Sequence, residues 1–493
     1  MAVLAMVVAL GAIGGVLSAS GKPLMIALFF GAVLVVMIIS SRVALFWFVM
    51  IGGMIVTGLC QLYVPQLKYV RYVVPLASAP LILHGMMDYF ISWTREREAP
   101  LPAVIAWALA FALACVVSAL VNLSDLIVVV VGIKDYLGMW GLFLSVVFLR
   151  WPASFTKRLA WGLFLIALLQ LPFVAQEYLI LVPKRVGLGG GIVPVDIVAG
   201  TFGATLDAGG ANAVLAAYQV VVVACLLALW KNGALSGFKA AVFSVALLSP
   251  MVVNQAKITA LYLPLAFIVV FHRDIVARPL KFIVAGASTA GLLAILMTAL
   301  VLGTPSSNVQ NSADLVKAVI AQQQETADQK AGQYSQLTRW TALTFWAKEH
   351  VRANPINTLI GHGVGNSREY PGGTVGANTL AGTRYVGLRI GYTALSALLW
   401  DTGVIGLITV LGMFASAFFT AGQLARYYKG KDNFRTGLFE GLQAGIAVLT
   451  LSLAHKDFFV NHVPFQTYTY VIIGFIAYSW LEVYRNDKQG LGA

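Results

Sequence analysis

Apolar stretches long enough to cross a lipid bilayer recur from one end of this 493-residue chain to the other, and nothing else in it constrains the fold as tightly. In hydrocarbon a backbone must satisfy its own N–H and C=O groups, which a run of roughly 20 residues does as an α-helix. About fourteen such runs begin near Ala2, Leu24, Val43, Tyr72, Leu101, Asp135, Leu159, Asn212, Phe238, Ala256, Phe282, Ile390, Arg435 and Pro464. Charged residues make up only 11% of the chain, against about 25% in soluble domains, which excludes a soluble globular protein, a disordered chain and a collagen. Cys60, Cys115 and Cys225 each lie inside an apolar run and read as small hydrophobes, so neither a disulfide framework nor a metal cluster is implied. The predicted fold is an all-α polytopic membrane protein of about 12–14 transmembrane helices with one long, partly helical outer loop.

The net charge of +13 is read through its distribution. The first apolar run has no basic residues before it and no evident cleavage site, so it is expected to be a retained helix starting inside. With that orientation both termini are cytoplasmic, and 17 of the 33 basic residues fall on inner connections, eight on short outer ones and eight in one long loop. This bias follows the positive-inside rule and needs no nucleic-acid partner. The chain divides into helices over 1–175, an outer or re-entrant segment over 176–211, central helices over 212–303, a large outer loop over 304–389 and closing helices over 390–493. Function is expected in the two long outer segments.

The first of these carries Lys184 and Arg185, a glycine run at Gly187–Gly191, then Gly200-Thr-Phe-Gly203, Asp207 and a helix opening at Asn212. Cations, glycine amides and a helix start could face an anion; a flexible turn capped by Asn212 is the simpler alternative. The glycine run follows no strand and has no Walker spacing, so it is no nucleotide fingerprint. Next comes Asn254-Gln-Ala-Lys257, with the lysine at the mouth of a helix, where a cation is costly unless paired, used or snorkelling to headgroups. The long loop has a Gln-rich stretch from Ala321 to Gln336, an amphipathic helix following Arg339-Trp, then Arg352, Pro355 and Gly361-His-Gly-Val-Gly-Asn366. Arg339, Lys348, Arg352, Arg368, Arg384 and Arg389 face only Glu349 and Glu369 there. Any one arginine reads as a solvated face, but their concentration suits an anionic substrate, because guanidinium binds phosphate bidentately. His455-Lys-Asp457 and Asn461-His462 lack the short spacing of a zinc site.

Taken in order, Gly200-Thr-Phe-Gly with Asn212, a basic residue at a helix mouth, Arg339-Trp through Pro355 to Gly361-x-Gly-x-Gly-Asn366, and Leu398-Leu-Trp-Asp-Thr-Gly403-Val-Ile-Gly406 resemble the bacterial O-antigen ligase and polysaccharide polymerase superfamily over roughly Pro183 to Leu411. The chain departs from that pattern in having Lys257 where many members have arginine, and Tyr392 about where many have the histidine of a His-Asn pair. The resemblance implies a GT-C-like, metal-independent and cofactor-free glycosyltransferase of the bacterial inner membrane, acting at the periplasmic face on an undecaprenyl-pyrophosphate-linked glycan. It implies the bilayer, a flippase and a chain-length regulator as partners.

Catalytic roles then fall to Arg339, Lys257, His362 and Asp207, and binding of pyrophosphate or glycan to Lys184, Arg185, Asn212, Arg352, Arg384, Arg389, Tyr392 and Asp401. With the family histidine missing, the base could come from His362, Asp207 or Asp401. A polymerase is the leading expectation and a ligase to lipid A core or protein the alternative. A transporter or flippase is the reading from another class, suggested by His84, Asp88, Asn122 and Asp125 within apolar runs, although no inverted repeat is evident.

Overall fold

The computed structural model describes residues 29, 31, 41–67, 70–96, 100–152, 154–186, 194–206, 209–254, 256–280, 337–351, 354–370 and 378–488. The helices expected from Ala2, Leu24 and Phe282, the Gln-rich stretch, Asp207 and Arg352 lie outside the described residues.

The described part is an all-α membrane-type bundle. Eight helices are long and apolar enough to cross a membrane: α1 (Arg42–Tyr63), α2 (Pro65–Ile91), α3 (Ala103–Val121), α6 (Phe155–Val186), α7 (Asn212–Lys231), α8 (Gly237–Asn254), α9 (Thr259–Ala277) and α12 (Ala394–Tyr428). A ninth span results if α4 (Leu126–Leu137) and α5 (Trp140–Phe148), bent by 45° at their junction, count as one. Two short helices, α10 (Arg339–His350) and α11 (Pro355–Ile360), precede α12, and α13 (Asn433–Ser452) and α14 (Val463–Lys488) follow it.

Helix α7 is central, with 78% of its most apolar window buried, and packs on α8, α9 and α13. Helices α2, α5 and α14 form a second packed group around Phe143, Tyr470 and Ile473. Leu76, Leu83, Leu113, Leu120 and Val245 stay largely exposed, the apolar rim that a lipid solvent requires.

Two features depart from the sequence expectation. The helix expected from Asp135 instead begins at Leu126 behind an Asp125 cap and breaks at Gly138, whose carbonyl accepts from Ser78 Oγ. The closing helix is broken as well. α12 opens on a Thr393–Ser396 capping box and runs 35 residues, but Gly403 has φ +65° and divides it. A Cβ on Gly403 would lie 2.4 Å from the Leu359 backbone, so glycine is needed for close approach as well as for the left-handed φ.

Candidate functional site

The site begins at a turn buried among helices. Gly200, Thr201 and Phe202 are essentially inaccessible to solvent. Inserting non-helical backbone there leaves amides that the bundle must satisfy. Glu177 Oε2 accepts from Ala199 N at 2.9 Å and Gly200 N at 2.7 Å, and Gln170 Oε1 accepts from Thr201 N at 2.8 Å. Thr201 Oγ1 donates to Met54 O at 2.8 Å. Glu177 opens a π-helical segment of α6 (Glu177–Leu181) and Met54 lies in another in α1 (Gly52–Val56), so both helices widen beside the turn. Gly58 leaves the space for Thr201 O, since a Cβ there would sit 2.1 Å from it.

Beyond the turn, Ala204–Thr205 pairs antiparallel with Gly209–Gly210, Ala211 N donates to Gly203 O, and α7 begins. Asn212 does not cap the helix. It is the first helical residue; its Oδ1 accepts from Ala213 N at 2.8 Å, and its Nδ2 points at Asp196 Oδ1 and Asn254 O, both at 3.4 Å.

Cations from four separate segments meet here. Burial pushes the Asp196 carboxyl up, while the fields of Arg185, Lys456 and Lys257 pull it down, so all three cations act on one carboxylate. The Arg185 guanidinium is buried and lies against Gly209, 3.5 Å from where a Cβ would stand, beside Asp196. Lys257 lies in the turn between α8 and α9 and is exposed at the mouth of α9. Asn254, fully buried just before it, accepts from Ala256 N through Oδ1, but its Nδ2 has no acceptor among the described residues. The fourth cation, Arg339, opens α10 behind a Thr338–Thr341 capping box; it donates from Nε to His455 O at 2.8 Å and lies 5.9 Å from the Tyr392 ring centre. His455 itself is pushed down to about 3 by burial, then by Arg339 and Lys456. Lys456 O in turn accepts from Ala394 N at the start of α12.

Of the residues singled out in the sequence, Arg185, Asn212, Lys257, Arg339 and Tyr392 therefore gather with Asp196, Asn254, His455 and Lys456. Reading by motif missed Asp196 and Lys456 and set His455 aside with the zinc question. One available signal was a lysine beside a histidine in a predicted outer turn.

Other singled-out residues stand elsewhere. His362 Nε2 is 2.7 Å from His350 Nε2, and its Nδ1 is 2.7 Å from Asn357 Nδ2; burial and then the fields of His350 and Arg384 bring it down to about 4. Asp401 is fully buried. Its carboxyl accepts from Ser367 N (2.7 Å), Tyr136 OH (2.9 Å), Ser367 Oγ (3.0 Å) and Gly365 N (3.2 Å). The glycine turn repays the break in α12: His362 N and Gly363 N donate to Trp400 O and Asp401 O, and Ser118 Oγ also donates to Asp401 O. The motif Gly361–Asn366 is thus a clamp on the broken helix. Arg384 is exposed, 3.5 Å from Glu349; Lys184 and Arg389 are exposed too, the latter at φ +54°.

The arrangement can hold a polyvalent anion. Three cations act on one carboxylate, a fourth acts with Lys456 on His455, and the buried Asn254 amide nitrogen, without an acceptor among the described residues, precedes Lys257 by three positions. No protein-family model matches this sequence, and no curated protein matches it.

Proposed function

We propose that the protein is a membrane glycosyltransferase that moves a glycan from a polyprenyl-diphosphate donor to a sugar hydroxyl, with Arg185, Lys257, Arg339 and Lys456 holding the diphosphate. The observation that carries this reading is the convergence of those four cations, from positions up to 271 residues apart, at the ends of apolar helices. A lipid-linked diphosphate needs both halves of that arrangement: apolar helices for the prenyl chain and several fixed cations for the phosphates. The motif order resembling the O-antigen ligase and polymerase superfamily supports the same reading.

In the reaction the bond from the anomeric carbon to the phosphate oxygen breaks and a bond from that carbon to the acceptor oxygen forms. Negative charge grows on the leaving diphosphate, where preorganised cations stabilise the transition state more than the ground state. The hydroxyl proton must go to a base, and we assign that role to His455, whose backbone carbonyl accepts from Arg339. Two of the three influences that hold its imidazole down are Arg339 and Lys456. A bound diphosphate neutralises both, so the histidine gains basicity only when the donor is present.

Polymerase and ligase share this donor chemistry and differ in acceptor. The test is a size analysis of lipid-linked and surface glycans in a strain lacking the gene. Accumulated single repeat units assign a polymerase, working beside a flippase and a chain-length regulator; full-length chains stranded on the carrier assign a ligase. Unchanged glycans overturn the proposal and leave a transporter as the reading to pursue.

A further inference from the structure

A second cationic site lies at the other end of α9. At about 1.5 Å per residue, the helix puts Arg273 roughly 25 Å from Lys257, close to the thickness of a bilayer's hydrocarbon core. The C-terminal turns of α9 and α12, with α13 behind them, line a small, open crevice. Arg273 and His272 line it from α9, and Arg426 and Lys429 from α12 and its cap.

Within the crevice the charges do not balance. The one carboxylate in its wall, Glu440, is already held by Lys231 Nζ at 3.3 Å and Asn232 Nδ2 at 2.8 Å. The neighbouring Asp274 is 3.3 Å from the same lysine. Arg273, Arg426 and Lys429 pair with no carboxylate among the described residues; Arg426 Nε donates only to Gly422 O, at 3.2 Å. Basic residues at helix C-termini complement the macrodipole, and that accounts for each singly. It does not require three cations from two helices more than 150 residues apart to face one space.

The walls are mixed. Val269, Val270 and Ala425 form the apolar side of the crevice. One helical repeat toward the membrane from His272 and Gly422, on the same faces, stand Ile268 and Phe419, which are 54% and 64% exposed. The basic crevice thus has exposed apolar side chains one turn away on each helix, the polarity of a phospholipid.

We propose that the crevice binds the phosphate of an anionic phospholipid, with Arg273, Arg426 and Lys429 around the headgroup and the acyl chains lying over Ile268 and Phe419. The site is independent of the reading proposed for the opposite end of the bundle, and its test needs no activity.

The test is native mass spectrometry and thermal unfolding of the full-length protein in uncharged detergent, with phosphatidylglycerol or phosphatidylcholine added. Wild type is expected to retain phosphatidylglycerol preferentially and to unfold at a higher temperature with it. Each cation near a headgroup contributes about five-fold in affinity, so Arg273→Gln with Arg426→Gln should cut the preference roughly 25-fold and leave phosphatidylcholine binding unchanged. If that pair fails to yield folded protein, Arg273→Gln and Lys429→Gln singly should each cut it about five-fold. An undiminished preference in the variants overturns the proposal. Equal stabilisation of wild type by millimolar inorganic phosphate also overturns it, because the occupant is then a soluble anion.

Discussion

Substituting Asp401 separates a structural carboxyl from a substrate-binding one. The side chain is fully buried and accepts from the amides of Gly365 and Ser367 and the hydroxyls of Tyr136 and Ser367. In Asp401→Ala all of these lose their acceptor. Each buried donor left unsatisfied costs about 1–3 kcal/mol, and with the two hydroxyls free to rotate the sum is on the order of 3–6 kcal/mol. Asp401→Asn is milder: Oδ1 still accepts from Ser367 N, the new amide can donate to either hydroxyl, and only Gly365 N is stranded, for about 1–3 kcal/mol. The assay is denaturant or thermal unfolding of purified protein in detergent, with glycan transfer measured in parallel. The expected order of stability is wild type, then Asn, then Ala, with transfer falling as folded protein is lost. Either variant keeping wild-type stability while losing transfer would refute this reasoning and return Asp401 to the substrate.

Lys257→Ala and Arg339→Ala are each expected to lower turnover by about 100-fold or more without reducing the amount of folded protein, as loss of a group that stabilises a leaving anion does; near-normal turnover in both would remove the cluster from catalysis. His455→Gln should cost about 10²–10⁴ in turnover while donor binding persists, and wild-type turnover would assign the proton elsewhere. His362, brought down to about 4, and His350, also held below its ordinary value by burial, bind fewer protons folded than unfolded between about pH 4 and 6.5. Stability carried by this pair is therefore complete above about pH 6.5 and is lost as pH falls through that window; an unfolding midpoint that stays level there would contradict it. Gly132→Ala should destabilise the packing of the Gly361–Asn366 turn on α4, because the added Cβ would meet the Val364 backbone at 2.5 Å; unfolding in denaturant measures the effect.

What the sequence made legible follows physical range. Apolar runs are local, so within the described residues each run expected to be a helix is one, but eight or nine are long and apolar enough to cross a membrane, and the helices expected from Arg435 and Pro464, α13 and α14, are not among them; the run expected from Asp135 breaks at Gly138, and α12 breaks at Gly403. The glycines of Gly200-Thr-Phe-Gly203 and Gly361–Asn366 were visible as motifs but their work was not, since it depends on which backbone lies opposite: Glu177 and Gln170 for the first, the broken turn at Trp400 and Asp401 for the second. Charge shows the same limit. Counting arginines in the long loop singled out Arg339 together with Arg384 and Arg389, yet Arg384 faces Glu349 at the surface, whereas Lys456, more than a hundred residues further on, stands beside Arg339. A motif reports what a segment can do by itself. A cluster of four cations from four segments forms only after the helices have packed, and nothing along the chain marks Asp196, a carboxylate on which three of those cations act, before they do.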